Sequence, residues 1–425
     1  MVARCSLPGR RGAMAGRARS RRRRRTAGPR GHRMSRRTAA KTPRILVVAL
    51  RYLGDVLLTT PLPHALRQHY PGCEVDMLVF KGTESMLQNN PDIRRVYTIP
   101  ERPAREEILA LARQLWRRYD LAVVPQPGDK PHLFGFVAAP RRIGLVSTER
   151  SHSWWKRLLL RHALSVDGIT HRVRENERVV QMLGVPSART VIPPTGQIAP
   201  EAWAEKLSPY LHGTAPFDPR QPFAVIHPSP RWRYKRWHTA GWASLMGELR
   251  QQGLRLLLSG GPGEAESRYL DEILAALDAP TRAAVIRIQG CLGLGELADL
   301  LHLARLYVGP DTATTHLAAA CGTPTLALFG PTEPRQWGPS PPDGLEPPWD
   351  QRASSQVRGN VVLLQEPFRA CVPCQQEGCE RHRESHSECL DRMAPERVCQ
   401  EAVAILRRQP GGGDAVPAPP AETQP

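Results

Sequence analysis

Arg44-Ile-Leu-Val-Val-Ala-Leu50 runs straight into Arg51-Tyr-Leu-Gly-Asp55. An unbroken apolar run from Ile45 to Leu50 suits a strand buried on both faces, as parallel sheets require. Gly54 lets the chain turn closely after it. Asp55 is thereby placed at a strand's carboxyl end, where a helical stretch begins. Pro61 and Pro63 predict a break or kink in that stretch.

Further short apolar runs follow at 74–80, 94–99 and 120–125, with helical patterns such as Glu106 to Arg118 between them. Such alternation predicts a parallel sheet covered on both faces. Between Pro186 and Pro222 lie eight prolines, the composition of a linker. The alternation then restarts. Strands are expected at 223–227, 254–258, 285–288, 306–308 and 324–329, and helices at 240–252, 264–277, 297–304 and 312–320, with a closing helix at 395–408. The expected organisation is a basic tail over 1–43, a first doubly wound domain over 44–186, a linker over 187–222, a second such domain over 223–408, and a tail over 409–425. Two such sheets make a cleft at the carboxyl ends of their strands, where ligands bind.

The formal charge of +19 misleads. Residues 1–43 hold 15 Lys and Arg without an acid; residues 44–425 hold 44 basic and 40 acidic residues. Such a run suits disorder, or affinity for nucleic acid or anionic membranes. No apolar stretch follows Ser20-Arg21-Arg22, so it does not read as a secretory signal; translation starting at Met14 or Met34 would remove much of it. No stretch approaches the roughly 18 to 20 apolar residues of a membrane span. Five of the nine cysteines fall in 371–399, and the odd total points to a reducing, cytoplasmic setting.

Four motifs follow strands. Gly54-Asp55 offers either a helix cap or a general base. Gly309-Pro-Asp-Thr-Ala-Thr-Thr-His316 supplies Asp311, Thr312, the amides of 312–314 and His316 one turn on. A helix start of this kind suits a diphosphate, although Asp311 could merely cap and His316 merely pack. Ser229-Pro-Arg-Trp-Arg-Tyr-Lys-Arg-Trp-His238 offers Lys235 as a phosphate neutraliser, with Trp237 as a packing anchor and single-stranded nucleic acid as a weaker alternative. Ser259-Gly-Gly-Pro-Gly-Glu264 could approach a nucleotide through Gly260 and Gly261. Gly293-Leu-Gly-Glu-Leu-Ala298 fits the dinucleotide fingerprint, but it comes late in the series and Asp311 is too near to be the ribose acid. Cys371, Cys374, Cys379 and Cys389 have a spacing that could make a four-thiolate structural zinc site. Ser153-Trp-Trp-Lys-Arg-Leu-Leu-Leu-Arg161 could lie on an anionic membrane or be a helix buried on one side.

In this order, the Gly-Asp start, the Lys-x-Trp loop, the Gly-Gly-Pro-Gly turn and Asp311-Thr-Ala-Thr-Thr-His316 resemble the ADP-heptose:lipopolysaccharide heptosyltransferases. These form glycosyltransferase family 9, with the GT-B fold of two Rossmann-like domains facing across a cleft. The resemblance runs from about 44 to 408. Gly54 to Pro61 and the cysteine segment look closest to the core heptosyltransferase III type. It implies Asp55 as catalytic base and Lys235 on the donor diphosphate. It implies Asp311, Thr312, Ala313 and His316 as donor-site residues, with Glu264 substituting for a ribose-binding glutamate. It further implies inverting transfer from ADP-L-glycero-D-manno-heptose to the lipopolysaccharide inner core, without a catalytic metal. The partners implied are the ADP-heptose donor, a lipid-linked core acceptor and the cytoplasmic face of the inner membrane, with no specific nucleic acid. The rivals are another nucleotide sugar, nucleic-acid binding through the arginine tail, and an oxidoreductase or epimerase, weakened by the misplaced fingerprint and the lack of a Tyr-x-x-x-Lys pair.

Overall fold

The computed structural model describes residues 42–187, 189–211, 216–367 and 369–409. The basic stretch 1–41 and residues 410–425 lie outside them, and so do the expectations made for those tails.

The first lobe carries β1 (Arg44–Ala49), β2 (Glu74–Phe80), β3 (Arg95–Ile99), β4 (Leu121–Val124), β5 (Arg141–Val146) and β6 (His162–Ser165). They pair in the order β3-β2-β1-β4-β5-β6, and every ladder is parallel. Ile45 to Ala49 are buried, as a strand covered on both faces must be. The connecting helices are α1 (Leu53–Leu57), α2 (Pro61–His69), α3 (Arg105–Leu115), α4 (Asp129–Ala138), α5 (Arg150–Leu159) and α6 (Arg172–Gln181). The predicted break is the gap between α1 and α2. Pro61 begins α2, and Pro63 is tolerated in its first turn, where no intrahelical N–H bond is forfeited.

The proline-rich connection is not a loose hinge. It carries α7 (Trp203–Leu207), and Trp203, Leu207 and Phe217 are fully buried. Thr195 donates its hydroxyl to Asp299 at 2.6 Å, and the Ile192 amide donates to the Thr60 hydroxyl at 2.9 Å. Proline fixes φ, so an extended strap costs little entropy to lay down. The linker expected over 187–222 thus takes the form of a strap built into the core.

The second lobe carries β7 (Phe223–Ile226), β8 (Arg255–Leu258), β9 (Val285–Arg287), β10 (Leu306–Pro310), β11 (Thr325–Phe329), β12 (Ser355–Arg358) and β13 (Val361–Gln365). The order is β12-β13-β11-β10-β7-β8-β9, parallel except for the antiparallel edge strand β12. Its helices are α8 (Thr239–Gln251), α9 (Glu264–Ala276), α10 (Ala279–Ala284), α11 (Leu294–Leu303), α12 (Ala313–Ala320), α13 (Pro334–Trp337), α14 (Glu388–Asp391) and α15 (Pro395–Arg407). In each sheet the strand order reverses beside the first strand, between β1 and β4 and between β7 and β10. Those switch points are where ligands of wound sheets sit.

One buried core joins the lobes, running from α1, α2 and β1 through the strap to α11 and α12. A second core lies under α3 and α4 on the other face of the first sheet, and a third under α8, α9 and α15. Where α1 meets α12, a Cβ on Gly54 would come within 3.3 Å of the His316 ring. Gly295 is more confined still: its Cβ would lie 2.7 Å from the carbonyl carbon of Thr195. The glycines of the dinucleotide-like stretch thus include one required by packing on the strap. Among the described residues no helix is long and apolar enough to cross a membrane.

Candidate active site

A cleft of about 1010 Å³ opens between the lobes at the carboxyl ends of both sheets. It is lined from one side by Arg51, Tyr52, Gly54 and Asp55, and from the other by Lys235, Gly260, Gly261, Asp311, Thr312, Ala313 and His316. All four sequence motifs therefore converge on one space.

Asp55 does not cap α1. The capping position is Tyr52, and Asp55 lies in the first turn. Its carboxylate accepts from Arg51 Nε at 3.0 Å, which fixes its direction. Its side chain is 12% exposed, enough to meet a substrate hydroxyl. The charge of Asp55 acts on both Lys235 and His316, so the two halves of the site face one another within electrostatic reach.

Asp311 does not cap α12 either. Thr312 does, its hydroxyl accepting from the Thr315 amide at 3.2 Å. Asp311 instead accepts from Lys235 Nζ at 2.5 Å and from the Thr332 hydroxyl at 2.6 Å, with His316 Nε2 at 3.8 Å. Burial pulls the Lys235 ammonium downward, but Asp311 more than offsets it and the net shift is up. Burial works to raise Asp311, and Lys235 and His316 reverse it, holding the carboxyl below its ordinary range. Both groups are thus charged near neutrality. Asp311 aims the lysine; a carboxylate cannot itself receive a phosphate. The donors the cleft offers an anion there are Lys235 and the first amides of α12, at Ala313 and Thr314, which a helix start leaves without intrahelical partners. Burial lowers His316 despite the opposing pull of Asp311, and its Nδ1 is buried without a partner.

The basic loop divides its labour. Arg231, Trp232 and Lys235 line the cleft, while Trp237 is buried and donates Nε1–H to the Met393 carbonyl at 2.9 Å. Arg231 lies over the Tyr52 ring at 4.5 Å, linking the lobes at the cleft mouth.

Glu264 requires correction. It is exposed at the start of α9 and does not line the cleft. Glu266 does, its carboxylate accepting from the Gly261 amide at 2.7 Å. Burial raises Glu266 above the ordinary carboxylate range. His227, at the end of β7, was not legible as a site residue. It lines the cleft, with Nδ1 3.0 Å from the Ser259 hydroxyl and Nε2 3.3 Å from that of Thr314. Burial lowers its pKa to about 4. Thr332 likewise carried no motif; only its place after β11, another strand end at the cleft, could have flagged it.

The four cysteines are unpaired thiols, and Cys389 is buried. Burial, followed by the charges of Cys374, Cys379 and Cys371, pushes its thiol up to about 12. The Glu388 amide donates to Cys379 Sγ at 3.4 Å. Among the described residues, however, no three His, Cys, Asp or Glu side chains are grouped closely enough to hold an ion. As placed, the thiols are not a finished metal cage. What the segment does is brace the cleft wall. The Gln375 amide donates to the Pro331 carbonyl at 2.8 Å, and Arg383 lies over Trp232 at 4.3 Å.

The family model described as glycosyltransferase family 9 (heptosyltransferase) matches residues 108–356. Lipopolysaccharide heptosyltransferase 3 of Escherichia coli strain K12 is 30% identical over 297 residues, which cover 68% of this chain and 83% of that one. Lipopolysaccharide heptosyltransferase 1 of Pseudomonas aeruginosa is 27% identical over 385 residues, covering 85% and 98%. Among solved structures, E. coli ADP-heptose LPS heptosyltransferase II superimposes with a TM-score of 0.64 at 21% identity, over 85% of this chain and 98% of that one.

Proposed function

The chain belongs to glycosyltransferase family 9, the heptosyltransferases, with their GT-B fold, and from that premise we propose that it moves a heptose from ADP-L-glycero-D-manno-heptose to the inner core of lipopolysaccharide with inversion. One observation carries the reading: Asp55 from the first lobe and the Lys235–Asp311 pair from the second line one cleft, with the Asp55 charge reaching Lys235.

The chemistry follows from those groups. The acceptor hydroxyl approaches the anomeric carbon from the first lobe. Asp55 takes its proton as the new C–O bond forms. The bond from the anomeric carbon to the diphosphate breaks on the opposite face, so one displacement inverts the centre. Negative charge growing on ADP is met by Lys235 and the α12 amides, donors fixed before the reaction begins. A charge-assisted hydrogen bond of that kind contributes about 1.5–3 kcal/mol. Gly260 and Gly261 allow backbone approach to the nucleotide, and Glu266 holds that turn. In this proposal the named side chains carry the charge and no divalent ion is called on. Structural zinc at Cys371, Cys374, Cys379 and Cys389 is proposed apart from the chemistry; it would have to draw together thiols that, as placed, are not grouped closely enough to hold an ion, and would then brace the wall at Trp232 and Pro331. The enzyme would meet its lipid-linked acceptor at the cytoplasmic face of the inner membrane.

ADP release is the test, using ADP-heptose, ADP-glucose and a UDP-sugar with a truncated core acceptor. Turnover confined to ADP-heptose and dependent on acceptor supports the reading. Preference for another nucleotide sugar would replace the donor assignment.

A further inference from the structure

Ten large apolar side chains are exposed among the described residues, and seven belong to one layer: Ile108, Leu109, Trp116, Leu133, Phe136, Trp154 and Leu158. They lie on α3, α4 and α5 or directly after α3, helices that follow one another in sequence and touch in space. This layer covers the first sheet on the face away from the core that joins the lobes. On α4 the outward positions Leu133 and Phe136 are apolar, where a solvated helix would carry polar groups. On α5, Trp154 is 61% and Leu158 77% exposed, while Lys156 is turned inward onto Asp129 at 2.7 Å.

Charge gathers on the same segment. Residues 102–161 hold twelve Lys and Arg against five Asp and Glu. The rest of 44–425 holds 32 against 35, so the body's positive excess belongs to this segment alone. Arg105, Arg113, Arg118, Arg141, Arg150 and Arg161 are exposed and form no ion pair with a described carboxylate. Arg118 also lines a recess of about 350 Å³ with Arg44, Arg94 and Arg95, at the strand ends opposite the cleft.

Apolar side chains ringed by unpaired arginines fit a surface that is apolar below and anionic above. We propose that the outer face of α3, α4 and α5 docks on a bilayer of anionic phospholipid. The face also reaches the cleft mouth: Lys130 of α4 donates to the Glu101 carbonyl at 2.9 Å, and Glu101 lines the cleft. A lipid-borne acceptor would thus be delivered beside Asp55. The inference deepens the proposed reading by giving that acceptor's membrane a place on the fold. Its test does not depend on the donor.

The test is flotation of the full-length chain with vesicles of phosphatidylcholine alone, or with about a third phosphatidylglycerol. Trp154→Gln/Leu158→Gln removes apolar contact at exposed positions, and Arg105→Gln/Arg113→Gln removes charge. All variants keep residues 1–41, so any affinity in that basic stretch is common to them. Each arginine near an anionic surface is worth about a fivefold change in partitioning. Wild type should therefore prefer the anionic vesicles, and each double variant should bind them at least about fivefold more weakly, with unchanged melting temperature and unchanged turnover on a water-soluble acceptor. Equal binding by wild type and variants, or no preference for anionic lipid, overturns the proposal. So does lipid-free self-association that the variants abolish, since the face would then belong to a second copy of the chain. Loss of turnover with vesicle binding intact would strike the catalytic reading and leave this one standing.

Discussion

Lys235→Ala should do two separable things. Asp311 is 9% exposed, and Lys235 Nζ sits 2.5 Å from its carboxylate. Removing one partner of a buried pair leaves the other charge desolvated, at a cost of roughly 3–5 kcal/mol. Thr332 still donates to Asp311 and Lys235 faces an open cleft, so the lower end applies, about 3 kcal/mol in urea unfolding at pH 7. The pH dependence gives the sharper signature. In the wild type Asp311 is held below its ordinary range. Its stabilising contribution is present above the unfolded carboxyl value, about 3.9, and fades as pH falls through the lower folded value. Without the lysine, burial is opposed only by His316 and the Thr332 hydroxyl, so Asp311 moves up from its wild-type position and the variant keeps less of that stability as pH climbs past about 4. The gap between the two proteins should widen from about pH 4 to pH 7. Adding Asp311→Asn removes the stranded charge and should recover at least half of the loss. It should not restore ADP affinity, which isothermal titration should find at least about tenfold weaker in both variants if a charge-assisted bond to phosphate is gone. A deficit below about 1 kcal/mol with the same gap at every pH would refute the buried-pair argument, and unchanged ADP affinity would remove Lys235 from the donor.

Asp55→Asn keeps the shape and removes the base; turnover should fall at least about a hundredfold, as loss of general-base catalysis does, while ADP titration stays near wild type. For His227, burial disfavours the proton in the folded state, so stability should fall as pH drops from about 6.5 to about 4, by roughly 3 kcal/mol in all; His227→Gln should flatten that part of the unfolding curve, and an unchanged slope would count against it. Elemental analysis of freshly purified protein should find about one zinc per chain if the cysteine segment closes on an ion, and folded, metal-free protein excludes a tight structural site.

Most of the parallel strands were legible because a strand buried on both faces must be continuously apolar, as Ile45 to Leu50 and Leu326 to Phe329 are. The edges were not. β5 starts with Arg141-Arg142, and the antiparallel β12 is largely exposed, so neither shows the buried-strand pattern. The prolines of 186–222 mark a linker but not its burial, which Trp203 and Phe217 bring about through contacts remote in sequence. At the site, a carboxylate after a strand looks the same whether it caps a helix or reaches across a cleft. Asp55 and Asp311 are separated from the capping reading by where α1 and α12 begin, with Tyr52 and Thr312 at the cap positions, and Asp311 also by Lys235, a partner that only folding supplies. Glu264 was misplaced by two residues, enough on a helix to turn one side chain to solvent and the next acid, Glu266, to the glycine turn. His227 follows β7 two residues before the Ser229 to His238 motif, and a histidine closing an apolar run reads as part of the strand.

The most direct measurement is a single-turnover reaction of ADP-heptose with a truncated inner-core acceptor, resolving ADP, the glycosylated product and its anomeric configuration. One ADP should appear per heptosylated acceptor, with configuration opposite to the donor's, and both products should vanish in Asp55→Asn. Retained configuration, or full transfer by that variant, would contradict the account.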